Sequence, residues 1–386
     1  MNSRLLKMLC ITGALLSSSV FAQQNKNKDM GSGNGCVSSK TAPDYALPDS
    51  VPAGVNMPAS MKINGGWDLE IDGSFIYWYV SQEYMDIGRS ATYQPGGATP
   101  ALPKGQIISQ GFNYEPGFKV GLEFNTRNDD WMIRADYTWL HFEKQNTFGT
   151  VPASNTVATG QKVYIPNDWF NNYSTGTQKQ AIQMKSKWKM HLDMADLTMS
   201  RPFYQGRNLV VMPYGGLRGL WIRQVFHITA VNATNPAIYP AESTNRSQCW
   251  GVGPTTGASA RYLVGCGFRF EGSMGFSLLY NRFINLSHRE KDQLPITGII
   301  RIDGDMDPIS LVRPVAEMGL GLGWGTYFYR NNYHVDFSAT YDFTLFWSQN
   351  MMRQTVSAFA NNSVGYVDPA GDLMMQGLTV NARFDF

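Results

Sequence analysis

Residues 373–386 read LMMQGLTVNARFDF. Leu378, Val380, Ala382, Phe384 and Phe386 share one face of an extended strand; Thr379, Asn381, Arg383 and Asp385 share the other. Successive side chains of a strand point to opposite faces. One apolar row and one polar row, carried to a terminal phenylalanine, suit the closing strand of a transmembrane β-barrel, with lipid on one side and a wet interior on the other. A soluble edge strand also alternates, so the reading depends on whether the pattern recurs.

It recurs along the chain. Trp67, Leu69, Ile71, Phe75, Tyr77 and Tyr79 oppose Asp68, Glu70, Asp72 and Ser74. Phe118, Val120, Leu122 and Phe124 form the next row, and Trp131, Ile133, Ala135, Tyr137 and Trp139 the one after a turn at Thr126-Arg127-Asn128-Asp129. Met184–Ser200 reads as a strand whose alternation slips near Met194–Ala195, which suggests a bulge. Leu209–Gln224 follows, then Ser259–Phe270 and Met274–Leu286 around a turn at Glu271-Gly272-Ser273. In residues 316–328 the polar-side row is mostly glycine, which lets something pack closely against the wall. Residues 335–347 alternate most cleanly of all.

Short turns near residues 126, 205, 272 and 331 separate these runs at one end. Polar segments near 83–109, 144–182, 227–255, 289–313 and 351–372 separate them at the other. Short periplasmic turns and long external loops characterise outer-membrane barrels. The reading is an all-β, antiparallel up-and-down transmembrane barrel of about ten strands, eight to twelve being compatible, with both termini periplasmic.

The amino terminus fits an exported chain. Arg4 and Lys7, an apolar run at Met8–Leu16 and Val20-Phe21-Ala22 form a secretory signal over residues 1–22. Residues 23–63, rich in Gly, Ser, Asn and Pro, read as a flexible periplasmic segment, and 64–386 as the barrel. No later run of about 18 apolar residues offers a helical span. Charged residues are 16%, below the roughly 25% of soluble domains, while mean hydropathy is only −0.26, as expected when polar residues line an interior. A net charge of +2 gives no sign of a nucleic-acid partner. Cys36, Cys249 and Cys266 remain after the signal; whether Cys249 and Cys266 pair stays open.

Candidate chemistry is sparse. His191-x-Asp193 is the pair most like an acid–base couple, but it lies mid-strand without a second acidic pair to share a water. Five scattered histidines give no metal spacing, and Met351-Met352 and Met374-Met375 read as apolar filler. No catalytic, metal or cofactor site is assigned. The interior row is expected to line a pore with Asp68, Glu70 and Asp72, Arg134 and Asp136, Lys185, Lys187, Lys189 and His191, Arg218, Asp336, and Arg383. Either these charges pair across the lumen and brace the wall, or a lysine stripe facing an acidic strand sets a transverse field that selects solutes. Trp78, Trp131, Trp139, Trp221, Trp324 and Trp347 are expected in aromatic girdles.

Gly66-Trp67-Asp68 with Tyr77-Trp78, Pro116-Gly117-Phe118, Pro213-Tyr214-Gly215-Gly216-Leu217-Arg218 and Trp250-Gly251-Val252-Gly253-Pro254 are motifs by which the chain resembles the Legionella-type major outer membrane protein family. The resemblance implies a pore-forming outer membrane protein without a cofactor and defines no substrate. The expected function is passive diffusion of small hydrophilic solutes or ions. The alternative is a structural or host-contact barrel, adhesin or receptor, that acts through its loops. Expected partners are outer membrane lipids, small solutes, further copies of the chain and, through the strand ending at Phe386, the assembly machinery.

Overall fold

A computed structural model describes residues 55–58, 69–93, 105–126, 129–154, 156–170, 180–206, 208–233, 240–291, 300–330, 332–359 and 370–386. Ten antiparallel strands close into a barrel: β1 (Leu69–Gln82), β2 (Tyr114–Asn125), β3 (Met132–Phe148), β4 (Ala181–Ser200), β5 (Leu209–Asn232), β6 (Ala241–Gly265), β7 (Phe268–Lys291), β8 (Ile309–Phe328), β9 (Tyr333–Asn350) and β10 (Gly371–Asp385). Each pairs with its neighbours in sequence, and β10 pairs with β1 from Leu373↔Gln82 to Asp385↔Glu70. The carboxy-terminal strand therefore closes the barrel, with Leu69 and Phe386 exchanging backbone hydrogen bonds of 3.1 and 3.0 Å. Closure leaves no barrel strand with an open edge. Among the described residues no helix is long and apolar enough to cross a membrane.

Outward residues of the turn-end half are apolar and exposed, among them Phe75, Leu122, Leu217, Phe276, Leu320, Phe337 and Leu378. Such a continuous band far exceeds what a water-soluble surface leaves bare, and it matches the lipid-facing belt of a membrane barrel. Trp131, Phe268, Phe328 and Tyr333 edge it near the turns, and Tyr137, Trp221 and Tyr280 edge it on the other side.

The strands run past this belt. β5 has 24 residues and β6 has 25, whereas about 9–11 cross a membrane. The segment read as a loop at 227–255 is mostly paired strand, from Ala230↔Ala241 to Leu217↔Pro254. The turn expected at Glu271-Gly272-Ser273 lies within β7; the chain reverses instead at Cys266 and Gly267, both with positive φ (54° and 80°). Two successive residues of positive φ match the right-handed twist of a tight hairpin, and glycine adopts that conformation readily. No bulge interrupts β4 at Met194–Ala195, because its pairing with both β3 and β5 runs through those residues without a shift.

Connections at the loop end carry structure of their own. Residues 86–92, 107–109 and 162–166 form a small antiparallel sheet, and α1 (Met352–Phe359) follows β9. At the turn end, Val55–Pro58 pairs with Phe203–Gln205, so part of the segment expected to be flexible is a strand. The secretory signal, Asp68 and the rest of residues 23–63 lie outside the described residues.

Candidate functional site: the lumen

The lumen has two layers. In the turn-end half, inward positions are charged and hydrogen-bonded. Arg134 on β3 sits among Glu70 (3.0 Å), Asp72, Asp136 (2.8 Å) and Glu123 (3.6 Å). Arg218 on β5 bridges Asp196 (2.7 Å) and Glu317 (2.7 Å). Arg269 on β7 forks onto Asp336 and also meets Glu271. Arg383 reaches Glu70 (3.4 Å) and Asp385 (3.4 Å), and Lys119 reaches Asp342 (3.7 Å). A buried charge is tolerated only when paired and hydrogen-bonded, and these clusters link nonadjacent strands around the lumen. The glycine row of β8 explains one fit: a Cβ at Gly323 would lie 2.6 Å from the Arg269 guanidinium. The planar group lies against bare backbone there.

These groups surround a cavity of about 370 Å³. Nine carboxylates and six cations line it, so its unbalanced charge is negative and its field favours cations.

The loop-end half is the reverse. Inward side chains are apolar and tightly enclosed: Ile76, Trp78 and Val80 on β1, Leu140 on β3, Trp188, Met190 and Leu192 on β4, Phe226 and Ile228 on β5, and Phe346 on β9. The connections complete this core with Met85, Ile87, Ile108, Trp169, Met352 and Val356. Trp169 packs edge-on against Phe226 at 5.1 Å and donates its indole N–H to the Asp86 carbonyl at 2.7 Å; the Arg353 guanidinium lies 5.3 Å over its ring. Single polar residues such as Gln82, Ser186 and Gln224 are buried among them, and towards β6 and β7 the interior is more polar, where His288 bonds Asn245 (2.6 Å) and Glu290 (2.7 Å).

Of the residues expected to line the lumen, Glu70, Asp72, Arg134, Asp136, Arg218, Asp336 and Arg383 do so. Lys185, Lys187, Lys189 and His191 do not. They alternate with buried Met184, Ser186, Trp188 and Met190, so they face outward. The reason is the apolar layer: inside the loop-end half the apolar row points in, and the apparent slip at Met194–Ala195 marks the level where the interior changes from apolar to charged. Trp78 is likewise in the core rather than a girdle, donating to Thr379 at 3.1 Å. The paired charges support the bracing of the wall; acids and bases are interleaved around the lumen, so no lysine stripe faces an acidic strand. Asn245, His288, Glu123, Glu271 and Glu317 are inward residues that the sequence reading passed over; Glu317 and Glu271 stood in view, flanking apolar β8 and β7 positions with the right period. Cys249 is a free, buried thiol, so it does not pair with Cys266. Among the described residues no group of acidic, histidine or cysteine side chains is arranged to hold a metal.

A closed antiparallel barrel with an apolar belt and a charged interior defines a transmembrane β-barrel protein. The family described as the Legionella pneumophila major outer membrane protein precursor matches residues 59–386, and the chain belongs to it. Family and fold together place it in the outer membrane. No curated protein sequence matches. Similar solved structures include the outer membrane protease OmpT from Escherichia coli, at 11% identity and TM-score 0.34, covering 85% of this chain and 98% of that one. Ail, the attachment invasion locus protein of Yersinia pestis, matches at 8% identity and TM-score 0.20, covering 81% and 97%. A Pseudomonas aeruginosa FadL homologue matches at 6% and 0.20, covering 82% and 89%. Likenesses this distant carry no argument about function.

Proposed function

We propose that the chain is a non-catalytic outer membrane pore for small hydrophilic solutes and ions, with turns and both termini in the periplasm, loops outside, and its lumen shut at the loop end in the conformation described. The charge-lined cavity of about 370 Å³ carries this reading. A barrel needing only bracing has no use for an excess of carboxylates over cations around a space large enough for water and ions. The apolar layer above it changes the form of the idea from free diffusion to conduction by opening. Exposing the layer's five fully buried aromatic side chains, Trp78, Trp169, Trp188, Phe226 and Phe346, would cost on the order of 10 kcal/mol, so wholesale loss of the layer is negligible. Movement of the loop-borne part alone, Trp169 with α1, costs less and leaves the wall intact.

Single-channel recording in planar bilayers tests this, comparing the native chain with Trp169→Ala/Arg353→Ala. Rare brief steps in the native protein, several times more frequent in the variant, are expected. No steps in either would overturn the pore. The second reading, a rigid barrel that presents its loop end to a partner, is favoured by the continuous apolar core joining wall, cap sheet and α1. It would then stand.

A further inference from the structure

The outward face of β3–β7 just beyond the apolar belt is unlike the rest of the barrel surface. Register places Trp139, Asp193, Trp221, Trp250 and Arg282 side by side along the belt edge, then His141, His191, Arg223 and Gln248 in the next row, and Lys189 and Arg246 in the row beyond, with Val225 between them. The two histidine rings stack at 4.2 Å. Local acids are already engaged: Asp193 accepts from Tyr137 (2.6 Å) and contacts His141 (3.1 Å), Glu143 pairs with Lys187 (2.7 Å), and Glu242 with Lys291 (3.8 Å). Arg289 is taken up by Asp303 (2.6 Å). Among the described residues, Lys185, Lys189, Arg223, Arg246 and Arg282 make no ion pair. Outward residues at the loop end of β8–β10 and β1, such as Ser310, Leu345, Gln376, Tyr79 and Ser81, include no cation. Trp221, Trp250, His141, His191, Arg223 and Gln248 line a depression of about 300 Å³ at the junction of the two zones.

We propose that this face binds the phosphorylated headgroup of an outer-leaflet glycolipid. Its position fits one occupant: acyl chains lie against the belt below, indole faces at the depression receive a sugar ring, and Arg223, Lys189 and Arg246 meet phosphate oxygens. Guanidinium groups match phosphate geometry bidentately, and basic side chains beside a membrane draw anionic lipids strongly. An acidic protein would satisfy the cations but leave the adjoining aromatic and apolar rows without a partner. The inference rests on the loop end facing outside.

Native mass spectrometry of the full chain, folded in detergent and mixed with lipid A, tests it. Wild type is expected to retain lipid A, and Lys189→Gln/Arg223→Gln/Arg246→Gln to bind it on the order of 100-fold more weakly. The charge-keeping Lys189→Arg/Arg223→Lys/Arg246→Lys variant retains most of the affinity. If the triple neutralisation does not fold, Arg223→Gln and Arg246→Gln singly should each lose several-fold. Unchanged affinity in the neutralised chains overturns the site. So does equal retention of phosphatidylglycerol, which would mean a merely anionic-lipid surface, or displacement by inorganic phosphate, which would mean a free-anion site. Conductance of the same variants and protease access to the loops on intact cells separate the failures. Unchanged lipid A affinity in the neutralised chains with conduction intact removes this inference alone, whereas loops shielded on cells remove the orientation it shares with the pore.

Discussion

The two halves of this barrel use one strand alternation for opposite purposes. In the turn-end half of β4, Leu197 and Met199 face out while Asp196 and Ser200 face in; in its loop-end half Lys187 and Lys189 face out while Trp188 and Met190 face in. The pairing of β4 with β3 and β5 is unbroken across the change. What switches is the solvent. Lipid surrounds the first half, so apolar side chains go outward and the interior must satisfy its own charges. Water surrounds the second, so the same fold buries its apolar row, as a soluble barrel does. The membrane therefore stops at the inversion, not at the end of the strands.

Opposite substitutions on neighbouring residues test that comparison most severely. Leu192→Asp puts a carboxylate in the closed core and is expected to destabilise by at least about 4 kcal/mol, read as the urea midpoint of the detergent-folded barrel. Lys189→Leu, three residues away on the outward row, is expected to shift it by no more than about 0.5 kcal/mol. Equal effects would mean that the rows are not inverted. In the charged half, Arg269→Ala strands Asp336 and Glu271 and is expected to cost about 3–5 kcal/mol, whereas Arg269→Met with Asp336→Leu recovers much of it, because removing a pair together is milder than breaking one. On the belt itself, Leu320, 72% exposed, tests the lipid boundary: Leu320→Lys should cost about 2–4 kcal/mol when the protein is folded into bilayers.

The turn-end half was legible because every strand there obeys a single rule, apolar towards lipid. Glu70, Asp72, Arg134, Arg218 and Arg383 fell where that rule puts them. The loop-end half was misread by extending the rule beyond the membrane, which turned Lys185, Lys187 and Lys189 inward and moved Trp78 outward. The length of the paired segments was the missing clue. Roughly 80 Å of strand in β5, at the usual rise per residue, cannot all lie in lipid. Ala241–Gln248 escaped notice as strand because both its rows are polar, leaving no hydrophobic period; it is held by Ser243, Asn245 and Ser247 packed inside. The cap sheet and α1 depend on contacts between connections remote in sequence, which no local pattern announces.

The smallest expected effect is the most discriminating for the pore. Lys185→Glu/Lys187→Glu/Lys189→Glu changes the outer surface by six charge units, yet these side chains lie behind the wall from the cavity. Exposed charges beyond a Debye length are largely screened at ordinary ionic strength. The ratio of cation to anion permeability should therefore stay within error of wild type. Glu317→Gln/Asp342→Asn removes only two charges, but from the cavity lining itself, and should move the ratio measurably towards anions. If the lysine reversal moved it instead, those lysines would have to face the lumen, and the inversion on which the two-layer barrel depends would be wrong.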